Sequence, residues 1–366
     1  MTKRINQILE KMQENNLESM FITSPANFYY VSNHLTDPHE RLIGVYISKS
    51  RDPLLIVPAL EREDAKNAGW TYDIISYYDH ENPWKLLADQ LHRDSEDPEV
   101  IGLEHDHLTL ERYNAVKEIL PRAVIFDVQE LLASVRVIKT MDEYARLKQA
   151  AELADFGIEI GVKSIQEGIS ELEVIANIEY ELKKQGIQQM SFQTMTLSGT
   201  KTASPHGTPT MKKIETGDMV LFDLGVVFEG YCSDITRTVA YKTITDEQRN
   251  IYETVLAAEK KAIETAQVGT AVGKLDQTAR EHIEKAGYGD YFTHRIGHGL
   301  GIETHEYPSM HSKNALALEA GMSFTIEPGI YVPGQGGVRI EDMVFMTKKG
   351  PELLTKYPKE LQIIGG

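Results

Sequence analysis

The sequence is short of the residues that build most ready-made sites. Among 366 residues there is one cysteine, Cys232, so no disulfide can close within the chain, no Cys-rich zinc pattern is present, and a reducing compartment is the expectation. No stretch approaches the roughly 18 uninterrupted apolar residues of a membrane span. The first twenty residues place Ile5, Ile8, Leu9 and Met12 at helical spacing among charges, not in the apolar run of a signal peptide. The expectation is therefore a cytoplasmic protein with no membrane partner. Positive charge is also scarce: 38 Lys and Arg against 55 Asp and Glu give a net charge of −17, so no field recruits nucleic acid. No HExxH, P-loop or GxGxxG occurs to anchor a familiar chemistry.

What remains is globular. Hydrophobic residues at 41% and charged residues at 25% exclude wholesale disorder, and at roughly 100 to 200 residues per domain the length supports two domains. Up to about residue 130, the runs SMFITS, LIGVYIS, PLLIVP, YDIISYY, VIGLE and AVIFDV alternate with helix-like stretches such as ALEREDAKNAG and HLTLERYNAVKEILP. This is the pattern of an α/β domain with a mixed or parallel sheet over 1–130. A second regime, 131–366, opens near Thr140, which with Glu143 three residues later has the form of a capping box. Gly168 and Gly186 bracket one charged amphipathic helix, and Gly269 and Gly287 bracket another at the same separation. The spacing suggests two related halves, each a helix pair followed by strands.

The chemistry lies in this second regime. Residues 218–241 contain apolar and β-branched runs around Phe228-Glu229-Gly230, a hairpin signature. With Glu229-Gly230 as the turn, Asp223 and Asp234 lie diagonally across the pair; with the turn shifted by one residue they lie directly opposite. Either register puts both carboxylates on one face. A second hairpin places Glu327 at the end of one run and Glu341 inside the next, with Arg339 sharing the face of Glu341 by period two. Between the hairpins, HRIGHGLGIETHEYP holds His294, His298 and His305 among glycines that permit close backbone approach. His206 sits in the turn-like SPHG.

Asp223, Asp234, His298, Glu327 and Glu341 together form a hard, oxygen-rich ligand set. Four converging carboxylates would repel one another unless neutralised, and two divalent ions balance them while generating a nucleophile from water at neutral pH. Carboxylate dominance with one imidazole suits Mn²⁺ first, with Co²⁺ or Zn²⁺ as alternatives. Cys232 shares the parity of Asp234, yet oxygen-preferring metals gain little from it, and it reads as a small packing residue.

The order Asp, Asp, His, Glu, Glu in FDLG, CSDITRT, GHGLG, IEPG and VRIED resembles the pita-bread metallopeptidases, and within them the proline-specific branch. The resemblance covers the chain from about Arg136 onward, and the preceding region is similar to the amino-terminal domain of the creatinase, prolidase and aminopeptidase P group. It implies an α/β creatinase/prolidase-like domain followed by an α+β pita-bread catalytic domain with a pseudo-twofold repeat. It also implies that Asp223 chelates one ion, that Asp234 and Glu341 bridge, and that His298 and Glu327 complete the ligands of the second ion. By the same resemblance Glu327 is the general base, His206 and His305 stabilise the tetrahedral intermediate, and Arg339 supports that network.

The implied reaction is dinuclear-metal hydrolysis of the Xaa-Pro bond, a tertiary amide lacking the N–H that ordinary peptidases grip, by a metal-bridging hydroxide. Overall length, NHLTDPHERLIG and YFTHRIGHGLGIETHEYPS are most similar to bacterial prolidases, which are Xaa-Pro dipeptidases. Aminopeptidase P, acting on longer peptides, is the alternative. Metal-free creatinase and metal-free binding modules of this fold are more remote, because the ligand set stands complete. A dipeptidase must recognise a carboxylate directly after proline, for which Arg295, His39 and Arg41 are candidates, the last two reaching the site from the partner in a homodimer.

Overall fold

The computed structural model describes residues 1–365. The chain divides into two compact units, Met1–Arg136 and Val137–Gly366; the division falls after Arg136, past the 130/131 boundary read from the sequence. All six apolar runs of the first unit become strands: β1 (Ser19–Ile22), β2 (Gly44–Ser48), β3 (Leu54–Pro58), β4 (Asp73–Tyr77), β5 (Val100–Leu103) and β6 (Val124–Asp127). They form one mixed sheet in the order β4-β3-β2-β1-β5-β6, antiparallel at β1–β2 and β2–β3 and parallel elsewhere. Every residue of β1, β2 and β3 is buried, which is why these strands read as unbroken apolar runs instead of alternating ones. Six helices accompany the sheet: α1 (Thr2–Glu14), α2 (Pro25–Ser32), α3 (Arg62–Asn67), α4 (Pro83–Arg93), α5 (Leu110–Ile119) and α6 (Gln129–Arg136). The periodic residues Ile5, Ile8 and Met12 of α1 are its buried stripe.

The second unit opens with α7 (Met141–Ser164), whose capping box forms in full between Thr140 and Glu143. It continues through α8 (Glu171–Lys184), β7 (Met195–Ser198), β8 (Met219–Leu224), β9 (Val227–Phe228), β10 (Tyr231–Cys232) and β11 (Ile235–Tyr241). A second helix pair follows, α9 (Asp246–Thr265) and α10 (Val272–Lys285), then β12 (His298–Gly299), β13 (Glu306–Ser309), β14 (Ser323–Ile326), β15 (Gly329–Val332), β16 (Gly336–Arg339), β17 (Asp342–Thr347), β18 (Gly350–Leu353) and β19 (Ile363–Ile364). The duplication suggested by the glycine spacing is real in three dimensions. Gly168, Gly186, Gly269 and Gly287 all have left-handed φ, at 77°, 90°, 89° and 88°, and each helix pair covers its own sheet. One core joins Ile158, Val174 and Ile178 to Phe222; the other joins Val255 and Leu275 to Phe324 and Val344. No helix among the described residues is long and apolar enough to cross a membrane.

The registers of two hairpins position the site. Phe228 opposes Tyr231, with Glu229 and Gly230 both at positive φ (45° and 77°) forming the two-residue turn. The same register runs back to Asp223 opposite Thr236, so Asp234 lies diagonal to Asp223, the first of the two arrangements the sequence allowed. The strands pinch together between these residues: a Cβ on Gly225 would stand 1.8 Å from the Ser233 carbonyl oxygen, so only glycine fits. In the second hairpin Ile326 opposes Asp342 and Gly329 opposes Arg339, which sets Glu327 opposite Glu341. There the ladder opens, and the freed amides reach outward: Glu327 N–H donates to Ile296 O (2.8 Å) and Glu341 N–H to Thr236 O (3.1 Å). The second bond ties the two hairpins together.

Candidate metal centre

The opened ladder gathers the carboxylates. Asp234 (5% exposed), His298 (3%) and Glu341 (2%) are buried, and each offers a ligand atom within 4.8 Å of the others. His298 Nε2 stands 3.2 Å from Glu327 Oε1 and 3.6 Å from Asp234 Oδ2. The other ring nitrogen, Nδ1, is 3.2 Å from the Gly299 carbonyl. A carbonyl only accepts, so Nδ1 donates to it and Nε2 is the nitrogen turned to the carboxylates: protonated it donates to Glu327, and deprotonated it offers the lone pair a metal ligand requires. Asp223 joins through Arg339, whose guanidinium binds its Oδ2. Its Oδ1, like Glu341 Oε1, is buried without a hydrogen-bond partner among the described residues.

The electrostatics of this cluster are those of a site built around cations. Burial, reinforced by repulsion from neighbouring carboxylates, drives the Asp234 and Glu341 carboxyls well above the usual range, and burial raises Asp223 against the opposing pull of Arg339. Burial would raise Glu327 as well, but the hydrogen bond and charge of His298 hold it at about 2. Buried oxygens without partners, an imidazole nitrogen turned to the carboxylates and the crowding of those carboxylates are all features that divalent cations satisfy. The donors present therefore fit such ions.

Arg339 heads a buried relay that the sequence did not disclose. Its Nη1 donates to the Tyr331 hydroxyl (3.0 Å), and its Nε donates to Thr236 Oγ1 (3.0 Å), which in turn donates to Glu341 Oε2 (2.8 Å). His294 Nδ1 lies 2.8 Å from Arg295 O and Nε2 lies 2.9 Å from Tyr331 Oη. The carbonyl again fixes the tautomer, so Tyr331 donates to His294 while accepting from Arg339. Parity would have found two of these residues: Tyr331 shares the face of Glu327 along its strand, and Thr236 the face of Asp234.

The remaining candidates are distributed unevenly. His206 is exposed within the turn closed by Gly207 N–H to Ser204 O (3.0 Å). His305 is exposed beside His298, ring centroids 4.1 Å apart, and burial of part of its ring with the nearby His298 lowers it to about 4, so it is neutral at physiological pH. The charges of His206 and Arg295 both act on His305, so these three share one rim. Arg295 Nη1 also donates to Ser309 Oγ (2.8 Å). His39 and Arg41 lie in the first unit, where Arg41 makes a two-pronged pair with Asp79 (2.9 and 3.2 Å) and His39 is exposed. Cys232 is buried (4% exposed), its thiol donating to Ile302 O (3.2 Å).

A carboxylate and imidazole cluster of this kind, set between duplicated halves, defines a metal-dependent hydrolase site. The chain belongs to the metallopeptidase family M24, which it matches over residues 145–348, and residues 4–138 match the Creatinase/Prolidase N-terminal domain. It is 51% identical over 361 residues to the protein YkvY of Bacillus subtilis (strain 168), covering 99% of each chain. It is 41% identical over 355 residues to the Xaa-Pro dipeptidase of Lactobacillus delbrueckii subsp. lactis, covering 96% of each. Among solved structures, the Xaa-Pro dipeptidase from Bacillus anthracis superposes with a TM-score of 0.93 at 36% identity, covering 99% of each chain. The fold is thus the creatinase-type N-terminal domain followed by the pita-bread domain, as the resemblance implied.

Proposed function

We propose that this metallopeptidase hydrolyses the Xaa-Pro bond of dipeptides with two divalent ions, Mn²⁺ before Co²⁺ or Zn²⁺, held by Asp223, Asp234, His298, Glu327 and Glu341. The observation that carries the reading is the buried cluster of Asp234, His298 and Glu341, with Glu327 against His298 Nε2, Asp223 acting electrostatically on Asp234, and two buried oxygens lacking partners among the described residues. End-to-end similarity to proteins named Xaa-Pro dipeptidase supports the choice of substrate. When bound, the ions supply Lewis acidity to the scissile carbonyl and make water acidic enough to attack it.

The protein's own groups do the rest. Glu327, partly exposed with its carboxylate held ionised, accepts the proton of the attacking water at Oε. His305, neutral at working pH, and His206 donate hydrogen bonds where negative charge develops on the carbonyl oxygen. Arg339 opposes the burial that raises Asp223 and, through Thr236, orients Glu341. Arg295 on the same rim binds the carboxylate that follows proline, and His39 and Arg41 serve the site of a second copy in a homodimer.

The test is hydrolysis of an Xaa-Pro dipeptide beside a matched Xaa-Pro-Xaa tripeptide by chelated protein reconstituted with Mn²⁺, Co²⁺ or Zn²⁺. Metal-dependent cleavage of the dipeptide alone is expected. Cleavage chiefly of the tripeptide would move the assignment to an aminopeptidase P and remove the role given to Arg295. Inertness with every metal would point to a binding module.

A further inference from the structure

His206 belongs to the segment that leaves β7 at Ser198 and returns at Thr210, and both stems of this segment close on one carboxylate. Glu171, the first residue of α8, is 0% exposed. Its Oε1 accepts from the Ser198 amide (2.8 Å) and hydroxyl (3.0 Å) on the outgoing stem. Its Oε2 accepts from the Thr210 amide (2.8 Å) and hydroxyl (3.3 Å) on the returning stem, and from the Lys201 ammonium. Lys201 reaches across to Thr210 Oγ1 (2.9 Å). At the base, Thr202 Oγ1 accepts from Gly337 N–H (2.7 Å), joining the segment to the strand that carries Arg339.

The duplicated half shows what the fold itself requires at this position. Glu171 and Leu172 donate their amides to Lys212 O (3.1 Å) and Thr210 O (3.3 Å); Val272 and Gly273, opening α10, donate theirs to Leu316 O and Asn314 O (both 2.8 Å). The helix caps make matching bridges, Ser170 with Lys213 and Ala271 with Ala317. The counterpart of Glu171 is therefore Val272, equally buried at 0%. This helix start is built as well from an aliphatic residue, and burying an ion pair gives no stability advantage over apolar packing. The histidine segment of the second half nonetheless carries a buried carboxylate of its own, Glu306, paired with Lys139 from the residues just before α7 (3.1 Å, side chains 5% and 2% exposed) and accepting from Glu303 N–H (3.0 Å). What recurs beside each histidine is a buried carboxylate with a lysine partner, not the residue at the helix start.

We infer that Glu171 is a positioning residue that clamps the 198–210 segment and thereby sets where His206 meets the substrate. The catalytic consequence rests on the role proposed for His206; the clamp itself does not. Glu171→Gln keeps the side chain's shape, but whichever oxygen becomes an amide then faces N–H or ammonium donors. Two measurements on the metal-loaded full chain decide the matter. Amide hydrogen exchange should speed up across 198–210 in Glu171→Gln and stay unchanged elsewhere, with metal content unaltered; unchanged protection of that segment overturns the clamp. Dipeptide hydrolysis should fall about 10²-fold, chiefly in kcat, and the same substitution in a His206→Ala background should add no further loss. Losses that multiply in full overturn the positioning role. Should Glu171→Gln not fold, Lys201→Met is read by the same two criteria. If His206→Ala alone retains full activity while exchange still accelerates in Glu171→Gln, the clamp stands and the role of His206 is what fails.

Discussion

The two halves of the catalytic unit share a plan and solve the same problem differently. In the first, Asp223 and Asp234 stand diagonally on a hairpin whose register never slips, drawn together where Gly225 lets the strands pinch. In the second, Glu327 and Glu341 face each other where the ladder opens and their amides bond outward, to Ile296 and to Thr236 of β11. The charge partner crosses between them, Arg339 of the second half binding Asp223 of the first. Duplication thus supplies the scaffold, while the departures from symmetry supply the chemistry.

Four experiments probe that contrast. The largest effect is expected from removing one carboxylate of each half in turn: Asp234→Asn and Glu341→Gln should each strip bound metal and lower dipeptide hydrolysis by about 10³-fold or more. Metal content after desalting and initial rates check this; a variant keeping both would show that one half suffices. Next, placing in the second half the residue that the first half carries, Val272→Glu, buries a charge with no partner and should cost about 3–5 kcal/mol by urea denaturation.

A smaller, pH-dependent effect concerns Glu259 of α9, whose counterpart at the same distance from the start of α7 is Ala154. Burial, with the negative Asp342 beside it, raises Glu259 to about 8 despite its bond to Lys359 (2.6 Å). The unfolded chain releases this proton near pH 4.5, whereas the folded chain holds it until about 8. The contribution of the protonated form is therefore complete below 4.5 and lost as pH rises through 8. Glu259→Gln should flatten this decline, by up to about 3–4 kcal/mol between pH 5 and 8 in parallel denaturations. Smallest are the caps. Ser170 caps α8 in a closed capping box, while Ala271 begins α10 with no side-chain cap; Ser170→Ala should lose about 1 kcal/mol and Ala271→Ser gain up to about 1, read as opposite shifts in thermal midpoint.

Much of this contrast could be read from the chain because it depends on local period. Alternation placed Arg339 and Glu341 on one face, and both indeed meet Thr236 Oγ1. Phe228-Glu229-Gly230 marked the hairpin and put Asp223 and Asp234 on one face, while the choice of the diagonal register came from the left-handed backbone of Glu229 and Gly230. The runs of β1, β2 and β3 were visible because strands buried on both faces leave no polar interruption. Glu171 was hidden for the opposite reason: it reads as an ordinary acidic residue in the first turn of a charged helix, and only the return of a distant segment turns it into a clamp. The partners of Tyr331 and His294 likewise come from separate strands and loops. Parity points to the face that Tyr331 occupies, but its bonds to Arg339 and His294 are tertiary and spacing along the chain does not show them.

The burial of Cys232 has a practical consequence. Its sulfur is sealed behind the 301–304 backbone and engaged with Ile302 O, and it is the only cysteine in the sequence, so towards maleimides the folded protein behaves as though it had none. A thiol introduced at exposed Ser204, two positions before His206, would then be the unique labelling point. A fluorophore or spin label there would report the movement of that rim during turnover without any prior removal of the native cysteine.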